Sequence, residues 1–112
     1  MIDSLNRASD WSNVRAVVAG IGVAGFACAD ALAQLGAQVV LIDANDTPAM
    51  RERAEILDVI GVDVRLGFTA ELPECDLLVV SPGLPPSHAT IEQAFARGVP
   101  VWGELELAWR DR

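Results

Sequence analysis

Three glycines, spaced as Gly20-x-Gly22-x-x-Gly25, are the residues of this chain best placed to bind a ligand. A short apolar, β-branched run precedes them, and after them the apolar spacing changes from that of a strand to that of a helix. In such a unit Gly20 permits a sharp turn, Gly22 lets a ligand approach the backbone, and Gly25 lets the helix pack close to the strand. The turn brings backbone N–H groups and the positive end of a helix dipole to one point. We therefore predict a phosphate site, with tight packing alone as the simpler alternative.

Two further sets of candidate ligand-binding residues come directly after apolar runs. Asp43 follows the run 38–42 and stands about twenty residues beyond the glycines, where dinucleotide-binding proteins keep an acid for ribose hydroxyls. The alternative is an exposed acid that only ends a strand. Ser81 and Gly83 follow the run 76–80 and offer a hydroxyl and a bare backbone to a ligand, unless this proline-rich turn merely stops the strand.

Other reactive side chains indicate no further chemistry. His88 is the only histidine, and no Cys, Asp or Glu stands near it at metal-ligand spacing, so we predict neither a metal site nor a catalytic residue. Cys28 and Cys75 fall beside apolar segments and are interpreted as small buried hydrophobes, not as a disulfide. A reducing compartment fits that interpretation.

Strands and helices alternate along the chain. Such alternation implies right-handed crossovers and a parallel sheet, so we predict a Rossmann-like α/β fold of about five strands in the order 3-2-1-4-5, with helices on both faces. In that order a ligand lies at the carboxyl ends of the strands, between the first and fourth. The predicted strands are 15–19, 38–42, 62–66, 76–80 and 99–102. Polar segments are expected at 1–13 and 68–74, and helical character at 104–110.

Each predicted helix ends at a glycine, namely Gly36, Gly61 or Gly98. Asp46, Thr47 and Pro48 predict a capped start for the second helix. The apolar positions assigned to the three helices are Phe26, Ala29, Leu32, Ala33, Ala54, Leu57, Val59, Ile60, Ile91, Ala94 and Phe95.

Length and charge limit the function. The 112 residues form one domain, 1–112, and a hydrophobic fraction of 52% supplies its core. A net charge of −8 disfavours nucleic acid and anionic membranes as partners, so phosphate must be held by backbone N–H groups. Polar residues and glycines interrupt the apolar stretch 16–37, and the start lacks a signal-peptide pattern, so we expect no membrane helix and a cytoplasmic protein.

Four segments together resemble the amino-terminal domain of the Mur ligases, most closely the D-glutamate-adding members. They are the glycine turn 20–25, Asp43, Leu77-Leu-Val-Val-Ser-Pro-Gly83, and Gly98-Val-Pro-Val-Trp-Gly-Glu-Leu-Glu-Leu107. The resemblance implies that this domain holds the UDP part of UDP-N-acetylmuramoyl-L-alanine, while ATP, Mg²⁺ and D-glutamate bind in two later domains. It implies diphosphate along Gly22 to Ala24, uracil beside Asp43, and Ser81 and Gly83 on the facing turn. The implied substrate-binding set is Gly20, Gly22, Val23, Ala24, Gly25, Asp43, Ala44, Ser81, Pro82 and Gly83.

The resemblance also implies an amino-terminal part of a longer three-domain ligase. By itself it should be inactive, because it has neither a Gly-x-x-x-x-Gly-Lys-Ser/Thr loop nor any lysine. An NAD-binding domain of an oxidoreductase or regulator would explain the glycines and Asp43, but not the Ser-Pro-Gly and Gly-Glu-Leu-Glu segments. A non-catalytic interaction module with the same shape stays open, since fold does not establish function.

Overall fold

A computed structural model describes residues 14–20, 23–68, 72–80 and 89–103. At residues 23 and 24 the description covers only the backbone. These residues form a five-stranded sheet in the order β3-β2-β1-β4-β5, and every neighbouring pair is parallel. The predicted fold class and strand order are confirmed. The strands are β1 (Arg15–Ala19), β2 (Gln38–Asp43), β3 (Asp63–Leu66), β4 (Leu77–Val80) and β5 (Val101–Gly103), and the helices are α1 (Val23–Gln34), α2 (Pro48–Val59) and α3 (Ala89–Ala96).

Alternate side chains of the central strands enter two separate apolar cores, one on each face of the sheet. On β1, Ala16 and Val18 pack on the first face with residues of α1 and α2. Val17 and Ala19 pack on the second face with residues of α3. A strand buried on both sides must be apolar throughout, which explains the continuous apolar runs of β1, β2 and β4. The helices lie on both faces, as predicted.

The helix ends follow the sequence signals. Thr47 is the N-cap of α2, where its Oγ1 accepts a hydrogen bond from the N–H of Met50 at 3.2 Å, and Pro48 begins the helix. The glycines that follow α1, α2 and α3 all have positive φ, at 95° for Gly36, 92° for Gly61 and 71° for Gly98. This conformation redirects the chain into the next strand.

Three strands begin later than the sequence pattern indicated: β4 starts at Leu77 instead of Asp76, and the delays of β3 and β5 follow from the turn after a helix. The N–H of Val62 donates to the carbonyl of Leu57 at 3.1 Å, so the turn after α2 uses this residue and β3 starts at Asp63. Pro100 has no N–H for the sheet, and the N–H of Val99 donates to the carbonyl of Ala94, so β5 starts only at Val101. The late starts of β3 and β5 both arise because a residue before the strand donates its N–H to the end of the preceding helix.

Some apolar helix positions assigned from the sequence are exposed. Val59 is 86% exposed, Ile60 44% and Phe95 66%. Leu57 is the buried residue of α2, and Ile91 and Ala94 are those of α3. Only one side of α2 and of α3 faces the sheet, so only a narrow stripe of each helix reaches a core.

The connection between β3 and β4 covers part of the second face. Phe68, Leu72 and Cys75 all pack in the second-face core, and Leu72 is only 3% exposed. The segment is therefore more apolar in its contacts than the polar loop predicted for 68–74. Cys28 lies in the first-face core, across the sheet from Cys75; both cysteines are buried, as expected, and they form no disulfide with each other.

In the described part of the chain, no helix is long and apolar enough to cross a membrane. The predictions for 1–13, His88 and 104–110 concern positions outside the described residues.

Candidate functional site

The carboxyl ends of β1, β2 and β4 meet at one edge of the sheet. Ala19 of β1 lies in register with Ile42 of β2 on one side and with Val80 of β4 on the other. Strand order therefore reverses between β1 and β4, which is the switch point where ligands of open α/β sheets bind. Gly20 and Asp43 follow at this edge. Ser81, Pro82 and Gly83, which come next after β4, lie outside the described residues, as does Gly22.

Gly20 and Gly25 approach each other closely where β1 turns into α1. The φ of Gly20 is 104°, a left-handed value that side chains disfavour, and its N–H donates to the carbonyl of Ile42 at 2.8 Å. A Cβ built on Gly25 would lie 1.6 Å from the carbonyl oxygen of Gly20. The roles in turning and close packing predicted for these two glycines are thus confirmed, and their contact with phosphate stays a prediction.

The amino-terminal end of α1 points to the same edge of the sheet. The helix begins at Val23, three residues after Gly20, which directly follows β1. The first helical turn of α1 contains no acidic side chain. The first N–H groups of a helix have no partner within that helix, and they carry the positive end of its dipole. An anion is the ligand that such an end favours.

Asp43 is half-buried at the end of β2, and the backbone around it is fixed. Its Oδ1 accepts a hydrogen bond from the N–H of Asn45 at 2.9 Å. Its carbonyl accepts one from the N–H of Phe68 at 2.9 Å, and the carbonyl of Asn45 accepts one from the N–H of Gly67 at 3.1 Å. The loop after β2 is therefore fastened to the end of β3, with Ala44 exposed beside the carboxylate.

Two arginines near the strand ends, Arg51 and Arg65, pair with carboxylates of the same chain. Arg51 donates to Asp46 at 2.7 and 3.0 Å, and this hydrogen bonding lowers the pKa of the Asp46 carboxyl. Arg65 pairs with Asp63 at 2.9 Å. A phosphate at the strand ends would therefore depend on backbone donors, as the charge of −8 suggested.

The opposite edge of the sheet carries an ion pair that the sequence reasoning missed. Arg15 donates from Nε to Oδ2 and from Nη2 to Oδ1 of Asp76, both at 3.2 Å, and its backbone N–H donates to Oδ2 at 2.9 Å. These hydrogen bonds hold the pKa of the Asp76 carboxyl below its usual value. They join the starts of β1 and β4, far from the candidate site. Within the described segments, no group of three or more His, Cys, Asp or Glu residues could hold a metal ion.

Comparison with known proteins identifies the family. The family model for the Mur ligase MurD-like N-terminal domain matches residues 14–103. The UDP-N-acetylmuramoylalanine--D-glutamate ligase of Leifsonia xyli subsp. xyli is 44% identical over 111 residues, covering 93% of this chain and 21% of that protein. The protein of the same name from Frankia casuarinae is 43% identical over 110 residues, covering 97% and 23%. The chain thus spans between 21% and 23% of the length of these two relatives.

A solved structure shares the fold. The Cu(II) complex of the HOCl-induced flavoprotein disulfide reductase RclA from Escherichia coli matches with a TM-score of 0.50 and 22% sequence identity, over 69% of this chain and 23% of that one. At this identity the likeness concerns the fold alone. The family match covers every described segment of the sheet and its helices. The chain belongs to the family of MurD-like Mur ligase N-terminal domains.

Proposed function

We propose that this chain binds the UDP part of UDP-N-acetylmuramoyl-L-alanine, as the amino-terminal domain of an ATP-dependent ligase that adds D-glutamate during peptidoglycan precursor synthesis. The observation that carries the proposal is the close approach of Gly25 to Gly20, which directs the start of α1 at the switch point. The relatives named as D-glutamate ligases supply the substrate class.

The diphosphate would lie along the backbone of Gly22, Val23 and Ala24, held by N–H groups and the helix dipole. Gly20 and Gly25 shape this cradle. Asp43 would accept a hydrogen bond from the uracil, with Ala44 beside it, because its carboxylate already stands in a fixed orientation at the same edge.

Ser81, Pro82 and Gly83, for which the sequence predicts a turn, would close the other side of the ligand. This segment follows β4 directly, and β4 pairs with β1 up to the residue before the glycine turn. This completes the substrate-binding set proposed from the sequence.

ATP and Mg²⁺ would act elsewhere in the full-length protein. Phosphoryl transfer needs cationic groups and metal ions around the transferred phosphate, and this chain has no lysine. Its partners would be the ATPase and carboxy-terminal domains, and the reaction would take place in the cytoplasm. An NAD-binding function is not favoured, since it explains the glycines but not the family match.

Calorimetric and NMR titrations of the purified chain test the proposal with UDP, UDP-N-acetylmuramoyl-L-alanine and NAD. We expect both UDP ligands to bind and to shift the amide signals of Gly22 to Gly25. Tight NAD binding without any response to the UDP ligands would overturn the assignment.

A pair of variants in one loop tests the role of Asp43. Asp43→Asn keeps an oxygen for the N–H of Asn45 but removes the charge, and it should weaken UDP binding about tenfold. Asp46→Asn is the matched control, because it removes an acid that pairs with Arg51, and it should leave the affinity unchanged. Equal affinities of the two variants would remove Asp43 from the site.

A further inference from the structure

Two backbone hydrogen bonds hold the loop after β2 against the turn that follows β3. The N–H of Phe68 donates to the carbonyl of Asp43 at 2.9 Å, and the N–H of Gly67 donates to the carbonyl of Asn45 at 3.1 Å. These bonds extend the parallel pairing of β2 with β3, which ends where Asp43 lies in register with Leu66. The 67–68 turn, as we call Gly67 and Phe68, therefore fastens the loop that carries Asp43.

Gly67 has a backbone conformation that most other residues disfavour. Its φ is 65°, in the left-handed region, and a Cβ built on it would meet no atom of the described residues within 4 Å. Glycine is therefore favoured here by conformation and not by lack of space. Asparagine adopts left-handed φ values far more readily than a β-branched residue such as valine.

The hydrogen bonds of Asn45 connect the 67–68 turn to the Asp43 carboxylate. The N–H of Asn45 donates to Oδ1 of Asp43 at 2.9 Å, and the carbonyl of Asn45 accepts the bond from Gly67. Because hydrogen bonds weaken steeply when their length or angle changes, a shift of Gly67 displaces Asn45 and with it the donor to Oδ1. The orientation of the Asp43 side chain therefore depends on the conformation of Gly67.

The other side of the 67–68 turn is anchored in the second-face core. Phe68 packs there together with Leu72, which is 3% exposed. The N–H of Leu72 donates to Oε1 of Gln93 on α3 at 2.6 Å, so this core is also tied to a helix by a hydrogen bond. Ala44 and Asn45, in contrast, are exposed. A change in the turn is consequently passed to the loop after β2 and not to the core.

We propose that Gly67 is a positioning residue for uracil binding, because its left-handed backbone orients the Asp43 carboxylate through Asn45. This inference rests on the proposed function for its ligand. A carboxylate is an acceptor for the ring N–H of uracil, and a side chain already held in its binding orientation loses less conformational entropy when the ligand binds. Gly67 thus raises the affinity for UDP through Asp43 and not by binding the ligand itself.

Gly67→Val and Gly67→Asn test this role, because valine disfavours the left-handed conformation and asparagine tolerates it. In the ligand-free chain, we expect Gly67→Val to shift the NMR signals of the Asp43 carboxyl carbon and the Asn45 amide, and Gly67→Asn to leave the carboxyl signal close to its original position. Gly67→Val should also bind UDP about fivefold more weakly, with Gly67→Asn within about twofold of the unaltered chain. If Gly67→Val does not fold, Gly67→Ala carries the same test.

Gly98→Val is the matched control. Gly98 has a φ of 71°, and a Cβ built on it would likewise meet no atom of the described residues within 4 Å. It lies between α3 and β5, at the amino-terminal edge of the sheet. The same substitution should therefore lower the melting temperature for the same reason, while the Asp43 carboxyl signal and the UDP affinity stay unchanged.

A double substitution shows whether Gly67 acts through Asp43. In an Asp43→Ala background the carboxylate is absent, so adding Gly67→Val should weaken UDP binding by less than about twofold further. A further loss of about fivefold in that background, or an equal loss in Gly98→Val, would overturn the inference.

An unchanged Asp43 carboxyl signal in a folded Gly67→Val chain would overturn the inference as well. Failure of the unaltered chain to bind UDP would refute the proposed function instead. In that case the ligand-free signals of Asp43 and Asn45 still decide whether Gly67 orients the carboxylate.

Discussion

Replacing Gly25 with alanine tests how the glycine turn is built. The added Cβ would lie 1.6 Å from the carbonyl oxygen and 2.7 Å from the carbonyl carbon of Gly20, whereas ordinary contact begins at 3.4 Å. Helix α1 and the turn must therefore separate by about 1.8 Å. Both partners are backbone atoms, so no side-chain rotation can relieve the overlap. The start of α1 would move away from the end of β1.

The energetic cost follows from two opposing effects. Overpacking of this kind costs about 3 kcal/mol at the upper end of its usual range, and alanine recovers about 1 kcal/mol through its better helix propensity. A net loss of about 2 kcal/mol in the free energy of unfolding corresponds to a fall in melting temperature of roughly 10 °C for a domain of this size. A shift of about 1.8 Å also exceeds what a hydrogen bond to phosphate tolerates, so UDP affinity should fall at least tenfold.

Thermal unfolding and calorimetry measure the two effects separately. Ala27→Gly is the control, because Ala27 is an exposed position of the same helix and its replacement costs about 1 kcal/mol of helix propensity without any steric overlap. It should lower the melting temperature but preserve UDP binding. A Gly25→Ala chain with normal stability and normal affinity would refute the close-packed turn described above.

Three further predictions concern the site, the ion pair and the core. Gly22→Asp should abolish UDP binding in a chain that stays folded, because a carboxylate would occupy the diphosphate position. Normal binding in a calorimetric titration would show that the diphosphate does not lie at Gly22. Arg15 holds the pKa of Asp76 below its ordinary value of 3.8, so the ionised form stabilises the fold above that value and this contribution is lost as the pH falls through the depressed pKa. The difference in melting temperature between the chain and Asp76→Asn should therefore shrink below about pH 4, and a difference that grows would contradict the pair. Leu57→Ala should cost about 2–5 kcal/mol in urea unfolding and Val59→Ser less than about 0.5 kcal/mol, since the first is fully buried and the second exposed; equal losses would disprove the assigned faces.

The last prediction is that the chain alone catalyses no ligation. Incubated with ATP, Mg²⁺, D-glutamate and UDP-N-acetylmuramoyl-L-alanine, it should release no phosphate above background, because a chain that binds only the UDP substrate, as proposed, cannot bring the other reactants to it. Phosphate release that disappears in Gly22→Asp would contradict this.

The sheet was predictable from the sequence because each central strand is marked by its own apolar residues. Apart from polar residues at their ends, β1, β2 and β4 are continuously apolar, which is the pattern of strands buried on both faces. The glycine spacing likewise indicated the turn, since only a residue without a Cβ fits where Gly25 meets Gly20.

Contacts between distant residues could not be predicted in the same way. Gln93 and Leu72 are 21 positions apart, and neither residue type signals the other. The Arg15–Asp76 pair had a weak signal, since each residue starts a predicted strand and the predicted order made those strands neighbours. Periodicity placed Val59 and Phe95 in helices correctly but did not show that both are exposed, because apolar spacing does not show how wide a helix face the sheet can cover.

The Arg15–Asp76 pair also bears on how this domain could be engineered. It secures the amino-terminal edge of the sheet, whereas the proposed ligand uses mainly backbone groups at the carboxyl-terminal edge. Substitutions that stabilise the amino-terminal edge therefore need not weaken binding of the proposed ligand. The usual trade-off between stability and activity is smaller there. The same separation would let sequences drift at one edge of the sheet while selection preserves the other.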